Sequence, residues 1–280
     1  MGEYGGALGQ RPWDSISNLP TMLLVGNSLL QRGVDLDPFQ KSLSAVYRIQ
    51  RFAVPATTYE DWHYILNQLF RRGSRPLYVV LVMSPTQLSL KYPIPAMAAV
   101  NLYRGSDLGQ VASEHLMNLN ERVTLYITHY SPFWGGRESI RYWKQRALPG
   151  YAIVLDRQSQ GLRQDHGDVQ IDPQRLQDLS SLCAQYNSHL VLVIPPTDQP
   201  ADAKAVPQVL AAAIATGVPV LLPLQNSSID RSYYEDDLHL NAKGARLFTS
   251  LLADALREPQ KWLNFSRAEI TPPREEARYR

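Results

Sequence analysis

Three residues in this chain have the types that nucleophilic acyl chemistry needs: Ser28, Asp236 and His239. Asp236 and His239 stand three apart in Tyr233-Tyr234-Glu235-Asp236-Asp237-Leu238-His239-Leu240-Asn241-Ala242-Lys243-Gly244, immediately before a strongly helical stretch. At that spacing in a turn, a carboxylate reaches one imidazole nitrogen, fixes the tautomer and stabilises the imidazolium. The other nitrogen can then take a proton from a serine. Ser28 follows the short apolar run Met22-Leu23-Leu24-Val25, which breaks at Gly26. A serine just past the carboxyl end of a buried strand lies where open α/β sheets bind their ligands. If a helix starts there, its free N–H groups and dipole favour a developing negative charge. Each feature also has a plainer reading. Asn27 and Ser28 cap a helix, Asp236 caps another, and a lone loop histidine is a solvated side chain. The co-occurrence of a strand-end serine with an Asp-x-x-His turn favours the chemical reading.

These residues must be positioned by a scaffold, and the hydrophobic pattern describes one. Apolar runs at Met22–Val25, Leu77–Met83, Leu190–Ile194 and Val218–Leu224 read as strands covered on both faces, and Ser44–Val54 reads as a further strand. Helical stripes are expected over Thr58–Phe70, Pro95–Asn120, Pro173–Asn187 and Pro207–Thr216. A helix or a short turn of one begins near Leu29–Leu36, and a last helix carries Leu247 to Leu256 and ends at Pro259. Val123–Ile127 fits helix or strand. Strands alternating with amphipathic helices imply a parallel sheet with helices on both faces. The fold class is therefore α/β, a three-layer α/β/α flavodoxin-like sheet of about five strands. The expected organisation is an irregular lead-in over 1–20, one domain over 21–260, and a loose charged tail over 261–280. An insertion around 131–172, rich in aromatic and basic residues, reads as an exposed excursion or as a lid over a substrate.

Composition excludes several classes. A net charge of +2 leaves no electrostatic footprint for nucleic acid or an acidic membrane. One cysteine, Cys183, forbids an intrachain disulfide, and its apolar helical setting reads as a buried thiol. No metal site is expected, because histidines 63, 115, 129, 166, 189 and 239 show no ligand spacing. The chain has no G-x-G-x-x-G or GK[ST] phosphate loop, so no cofactor is expected. Ser28 is not in a G-x-S-x-G elbow, since Leu30 stands at the last position. No run reaches membrane-helix length, and Met1–Pro12 lacks the apolar core of a signal peptide. As written the expectation is a cytoplasmic protein, or an extracytoplasmic one if a leader is missing.

The same residues resemble a known pattern. Gly26-Asn27-Ser28-Leu29 looks like the first block of the SGNH (GDSL-type) hydrolases, and Asp236-Asp237-Leu238-His239-Leu240-Asn241 looks like their last, D-x-x-H. The resemblance implies Ser28 as nucleophile, His239 as general base and Asp236 as its orienting partner, with Asp237 a cap or surface residue. Asn27 stands where that family usually has Asp. Its two middle blocks are degraded here. The loop after the second strand is Val54-Pro55-Ala56-Thr57-Thr58, without the usual glycine, and Pro55 has no N–H, so Ala56 or Thr57 is left as an oxyanion donor. The loop after the third strand is Ser84-Pro85-Thr86-Gln87-Leu88, with Thr86 at the position of the usual asparagine. That loop is also similar to divergent SGNH proteins that act with membrane-bound acyltransferases on cell-surface polymers. The resemblance therefore implies a serine esterase or acyl-transfer enzyme acting on small or carbohydrate O-acyl esters, with a membrane-bound acyltransferase as an optional partner. The alternative is a weak or inactive relative that binds carbohydrate or serves as a scaffold.

Overall fold

The computed structural model of the chain describes residues 19–55, 57–89, 102–114, 117–131, 170–224 and 229–263. Five strands form one parallel sheet: β1 (Thr21–Gly26), β2 (Arg48–Ala53), β3 (Tyr78–Val82), β4 (His189–Val193) and β5 (Val220–Leu221). Their spatial order is β2-β1-β3-β4-β5. The helices are α1 (Ser28–Gly33), α2 (Leu36–Leu43), α3 (Tyr59–Arg71), α4 (Leu108–Glu114), α5 (Leu119–Tyr130), α6 (Pro173–Gln185), α7 (Pro200–Thr216), α8 (Ala242–Arg257) and α9 (Pro259–Leu263). The class is α/β, with the five-stranded parallel sheet that the apolar runs imply.

The central strands are apolar throughout because helices cover both faces. Leu23, Val25, Val79, Leu81, Leu190 and Leu192 join one core cluster, with Trp62 and Leu66 of α3, Leu176 and Leu179 of α6, and Val209 of α7. The alternate residues Met22, Leu24, Val80, Val82, Val191 and Val193 join the other, with Leu30 of α1, Phe39 of α2 and Phe248 and Leu252 of α8. This division follows from handedness. The chain steps from β1 outward to β2, then back past β1 to β3 and onward. Right-handed crossovers therefore put α1 and α2 on one face and α3 to α7 on the other. The reversal leaves a switch point between β1 and β3, where such sheets bind ligands beyond their carboxyl ends. Ser28 begins α1 at that point.

Several boundaries differ from the sequence expectation, each for a local reason. The segment after β1 makes two short helices, and the second starts where the Asp35 N–H donates to Thr249 Oγ1 at 2.9 Å. The described part of the 95–120 stretch is not one helix. Asn118 opens α5 with a reciprocal pair, its Oδ1 accepting the Glu121 N–H at 3.0 Å and its own N–H donating to Glu121 at 2.8 Å. Val123–Ile127 is accordingly helical. Helix α7 starts at Pro200 and not at Pro207, which sits inside it without an N–H to donate. Strand β5 shrinks to two residues between Pro219 and Pro223, neither of which can donate to a ladder. Beyond α8, Trp262 is buried edge-on against Tyr78, so the packed chain runs past residue 260. Residues 1–18, 90–101, 132–169 and 264–280, which include most of the lead-in, insertion and tail, lie outside the described residues. No described helix is long and apolar enough to cross a membrane.

Candidate active site

The turn that carries Ser28 is shaped by what precedes it. A side chain at Gly26 would put its Cβ 2.7 Å from Val82 O and 2.9 Å from Leu30 Cβ, so glycine lets α1 turn sharply off the sheet. Asn27 then caps α1, its Oδ1 accepting the Leu29 N–H at 3.0 Å. Ser28 is the first helical residue and is half-buried. No intrahelical carbonyl lies in reach of an N–H at that position.

The histidine comes from a loop folded back on itself ahead of α8. Tyr234 and Leu240 form an antiparallel bridge, and the Glu235 N–H donates to His239 O at 2.8 Å. Asn241 caps α8, accepting the Lys243 and Gly244 N–H groups at 2.9 and 3.1 Å and donating from Nδ2 to Ser232 O at 2.6 Å. A Cβ on Gly244 would come within 2.4 Å of Tyr233 O, so only glycine lets the first turn of α8 press against this loop. Within the turn, Asp236 Oδ1 accepts the Leu238 and His239 main-chain N–H groups at 2.8 and 2.7 Å.

These two pieces meet. The Asp236 carboxylate lies 2.9 and 3.0 Å from His239 Nδ1, and His239 Nε2 lies 2.8 Å from Ser28 Oγ. A carboxylate only accepts, so Nδ1 carries the proton. In the neutral ring Nε2 is then the acceptor for the Ser28 hydroxyl. Partial burial alone would raise the Asp236 carboxyl. The hydrogen bonds from His239 Nδ1 and from the Leu238 and His239 N–H groups, with the charge on the imidazole, outweigh it and hold that carboxyl below its ordinary value. The His239 side chain is 14% exposed and that of Asp236 52%, so the imidazole is shielded while its partner reaches water.

Of the expected site residues, Ser28, Asp236 and His239 are thus brought together, although the serine and histidine are 211 positions apart. Thr86, expected as an oxyanion donor, is engaged with Asp202. Its hydroxyl donates to Asp202 Oδ1 at 2.8 Å, and its N–H faces the same oxygen at 3.4 Å. A buried carboxylate at the start of α7 thus takes the hydroxyls of this loop. Thr57 is also turned away, its N–H donating to Val54 O at 3.3 Å. Ala56 lies outside the described residues. Asp237 is a surface residue, as expected, and pairs with Arg231 at 2.9 Å. Cys183 is fully buried, and burial pushes its thiol up to about 12. Among the described residues no group of three or more His, Cys, Asp or Glu is disposed to hold a metal ion.

No protein-family model matches the chain, and no curated protein matches its sequence. Solved structures match its trace. One is TesA, at 14% identity and a TM-score of 0.44, covering 85% of this chain and 98% of that one. Another is EstA, a psychrotrophic esterase from Pseudoalteromonas sp., at 12% identity and 0.44, covering 87% and 98%. A third is Axe2, an acetylxylan esterase from Geobacillus stearothermophilus, at 11% identity and 0.43, covering 86% and 95%. The reading of the site rests on its own contacts.

Two residues that the sequence did not single out organise the rim. Asp202, 1% exposed, accepts hydroxyls from Ser84 and Thr86 after β3 and, at 2.7 Å, from Thr197 after β4. Two of its three partners, Ser84 and Thr86, lie 118 and 116 positions away, so local spacing does not announce it. Pro200 two positions earlier, a good first helical residue, was the available signal for a helix start there. Arg231 joins Asp198 at 3.0 Å and Asp237 at 2.9 Å, and the Asp198 N–H donates to Asp237 O at 2.8 Å. Together these contacts strap the histidine loop to the segment after β4.

Proposed function

We propose that this chain is an SGNH-type serine esterase or O-acyltransferase working through an acyl-Ser28 intermediate. The observation that carries the reading is His239, hydrogen-bonded at once to the Ser28 hydroxyl and to the Asp236 carboxylate. In this reading His239 Nε2 takes the proton as Ser28 Oγ attacks the ester carbonyl. It returns the proton to the departing alkoxide as the ester C–O bond breaks. Water or a sugar hydroxyl then attacks the acyl-serine, His239 again accepts the proton, and Ser28 regains it on release of the acid or the new ester. Asp236 stays ionised throughout and holds the imidazolium. The Ser28 N–H and that of Ala56 are the donors assigned to the tetrahedral oxyanion. The substrate class is a small or carbohydrate-borne O-acyl ester.

The test is turnover of an aryl acetate by the whole protein, with and without added sugars. Expected is a Ser28-dependent release of the phenol. A sugar that raises the rate and becomes acylated identifies transfer, and no effect of any sugar identifies hydrolysis. Equal release by wild type and Ser28→Ala refutes the serine mechanism.

A further inference from the structure

β2 is the edge strand of the sheet, next to the layer formed by α1, α2 and α8. Ile49 packs into the core beneath that layer, and Arg51, two residues on, projects from the same side of the strand. Its register partner on β1, Leu24, is fully buried, whereas Arg51 is only half-buried. Arg51 lines a cleft of about 520 Å³, within the size range of small-ligand sites. Arg32 of α1 and Arg246 of α8 line the same cleft, with Asp35 and Asp37 at the start of α2. Among the described residues no ion pair joins Arg51 or Arg246 to a carboxylate. The cleft adjoins the reacting groups. Arg32 stands four residues beyond Ser28 on the same face of α1, about 6 Å of helix rise away. It also lines the narrow space against Leu238, His239 and Leu240. Ala242, three residues after His239, forms part of the cleft wall.

We propose that this cleft selects esters whose alcohol portion carries one carboxylate, which Arg51 and Arg246 hold while the acyl group lies at Ser28. The inference rests on Ser28 being the nucleophile. Guanidinium forks match a carboxylate two hydrogen bonds at a time. Three guanidinium groups against two carboxylates leave the lining with a small positive excess, which suits a monoanion better than a phosphate dianion. Asp35 and Asp37 can accept hydroxyls beside the bound carboxylate, so the alcohol portion fits a hydroxy acid or a sugar acid. The pair of Arg32 with Glu235, at 3.5 Å and with both side chains in water, offers little resistance to a competing anion. A charge on an edge strand also discourages strand addition, but that role asks nothing of Arg246.

The experiment compares kcat/KM for para-acetoxybenzoate with that for its methyl ester, a pair that differs in one charge. Wild type, Arg51→Gln, Arg246→Gln and the double variant are measured, with thermal melts to verify folding. Arg257→Gln, which removes a cation paired with Asp254 at the other end of α8, is the control. Dividing the two values within each variant cancels any general effect on the reaction. The charged-to-neutral ratio is expected to fall about threefold or more in each single variant and about tenfold or more in the double variant, chiefly through KM. The control is expected to keep the wild-type ratio. An unchanged ratio in the double variant, or an equal fall in Arg257→Gln, with turnover still dependent on Ser28, overturns the role of the cleft and leaves the nucleophile. Turnover that is equal in wild type and Ser28→Ala, or absent from wild type for both esters, overturns the nucleophile reading and this inference with it.

Discussion

The rim around Ser28 has two halves built on different principles. On the proton-handling side, side chains do the work: Asp236 holds His239, His239 holds Ser28, and Asn241, Gly244 and Arg231 lock the loop that carries them. On the anion side, the segments after β2 and β3 spend their side chains on one another, with Thr57 on Val54 and Ser84 and Thr86 on Asp202. In the proposed reading, main-chain N–H groups meet the substrate oxygen on that side. A proton relay needs particular residue types at fixed spacing. An anion hole needs donors that every residue but proline carries.

The proton-handling half should be the more fragile. His239→Ala is expected to lower kcat on an aryl acetate by about 10⁴-fold or more, since nucleophile and base act as a unit. Asp236→Asn keeps the shape but loses the charge that holds the tautomer, and a drop of about 10²–10⁴ is expected in the same steady-state assay. A loss below about tenfold would mean that the turn's main chain alone orients the imidazole.

On the anion side the largest effect should fall on stability. Asp202→Ala leaves the hydroxyls of Ser84, Thr86 and Thr197 without their buried acceptor, and a destabilisation of about 2–4 kcal/mol in urea unfolding is expected. A change under about 0.5 kcal/mol would show that those hydroxyls find other partners.

The two halves should also respond to pH in opposite senses. Asp61, which takes the Thr58 N–H at 2.9 Å beside the β2 segment, is fully buried. Burial pushes its carboxyl from 3.8 to about 7, against the hydrogen bonds from Tyr103 and Thr58. A carboxyl raised on folding stabilises below its unfolded value and loses that contribution as pH rises through its folded value. Wild type should therefore lose stability relative to Asp61→Asn between about pH 4 and about pH 7, read by thermal melts. Asp236 is lowered, so its contribution is present above the ordinary carboxylate value and is lost as pH falls through the folded one. Melts of Asp236→Asn against wild type that diverge on alkalinisation from pH 7 would contradict that sign. The smallest effect is kinetic: Thr86→Val should leave kcat/KM within about threefold, whereas a loss on the order of 10²–10³ would restore Thr86 as an oxyanion donor.

The same contrast explains what could be read from sequence. β1, β3 and β4 were legible because a strand covered on both faces is an unbroken apolar run, whereas β5 was overextended because two flanking prolines cannot pair. The Thr58 start of α3 and the Asp236–His239 turn are local, so their spacing is visible. Asp202 answers hydroxyls more than a hundred positions away at Ser84 and Thr86, and nothing in its neighbourhood shows that. Thr86 is expected at the anion site from its match to the asparagine of the resembled block; only coordinates reveal the carboxylate that takes its hydroxyl.

The most direct measurement is mass-spectrometric mapping of the adduct left by a fluorophosphonate probe on the folded protein. The account predicts a single modified peptide containing Ser28, absent after His239→Ala. An adduct on another residue, or undiminished modification of Ser28→Ala, would contradict it.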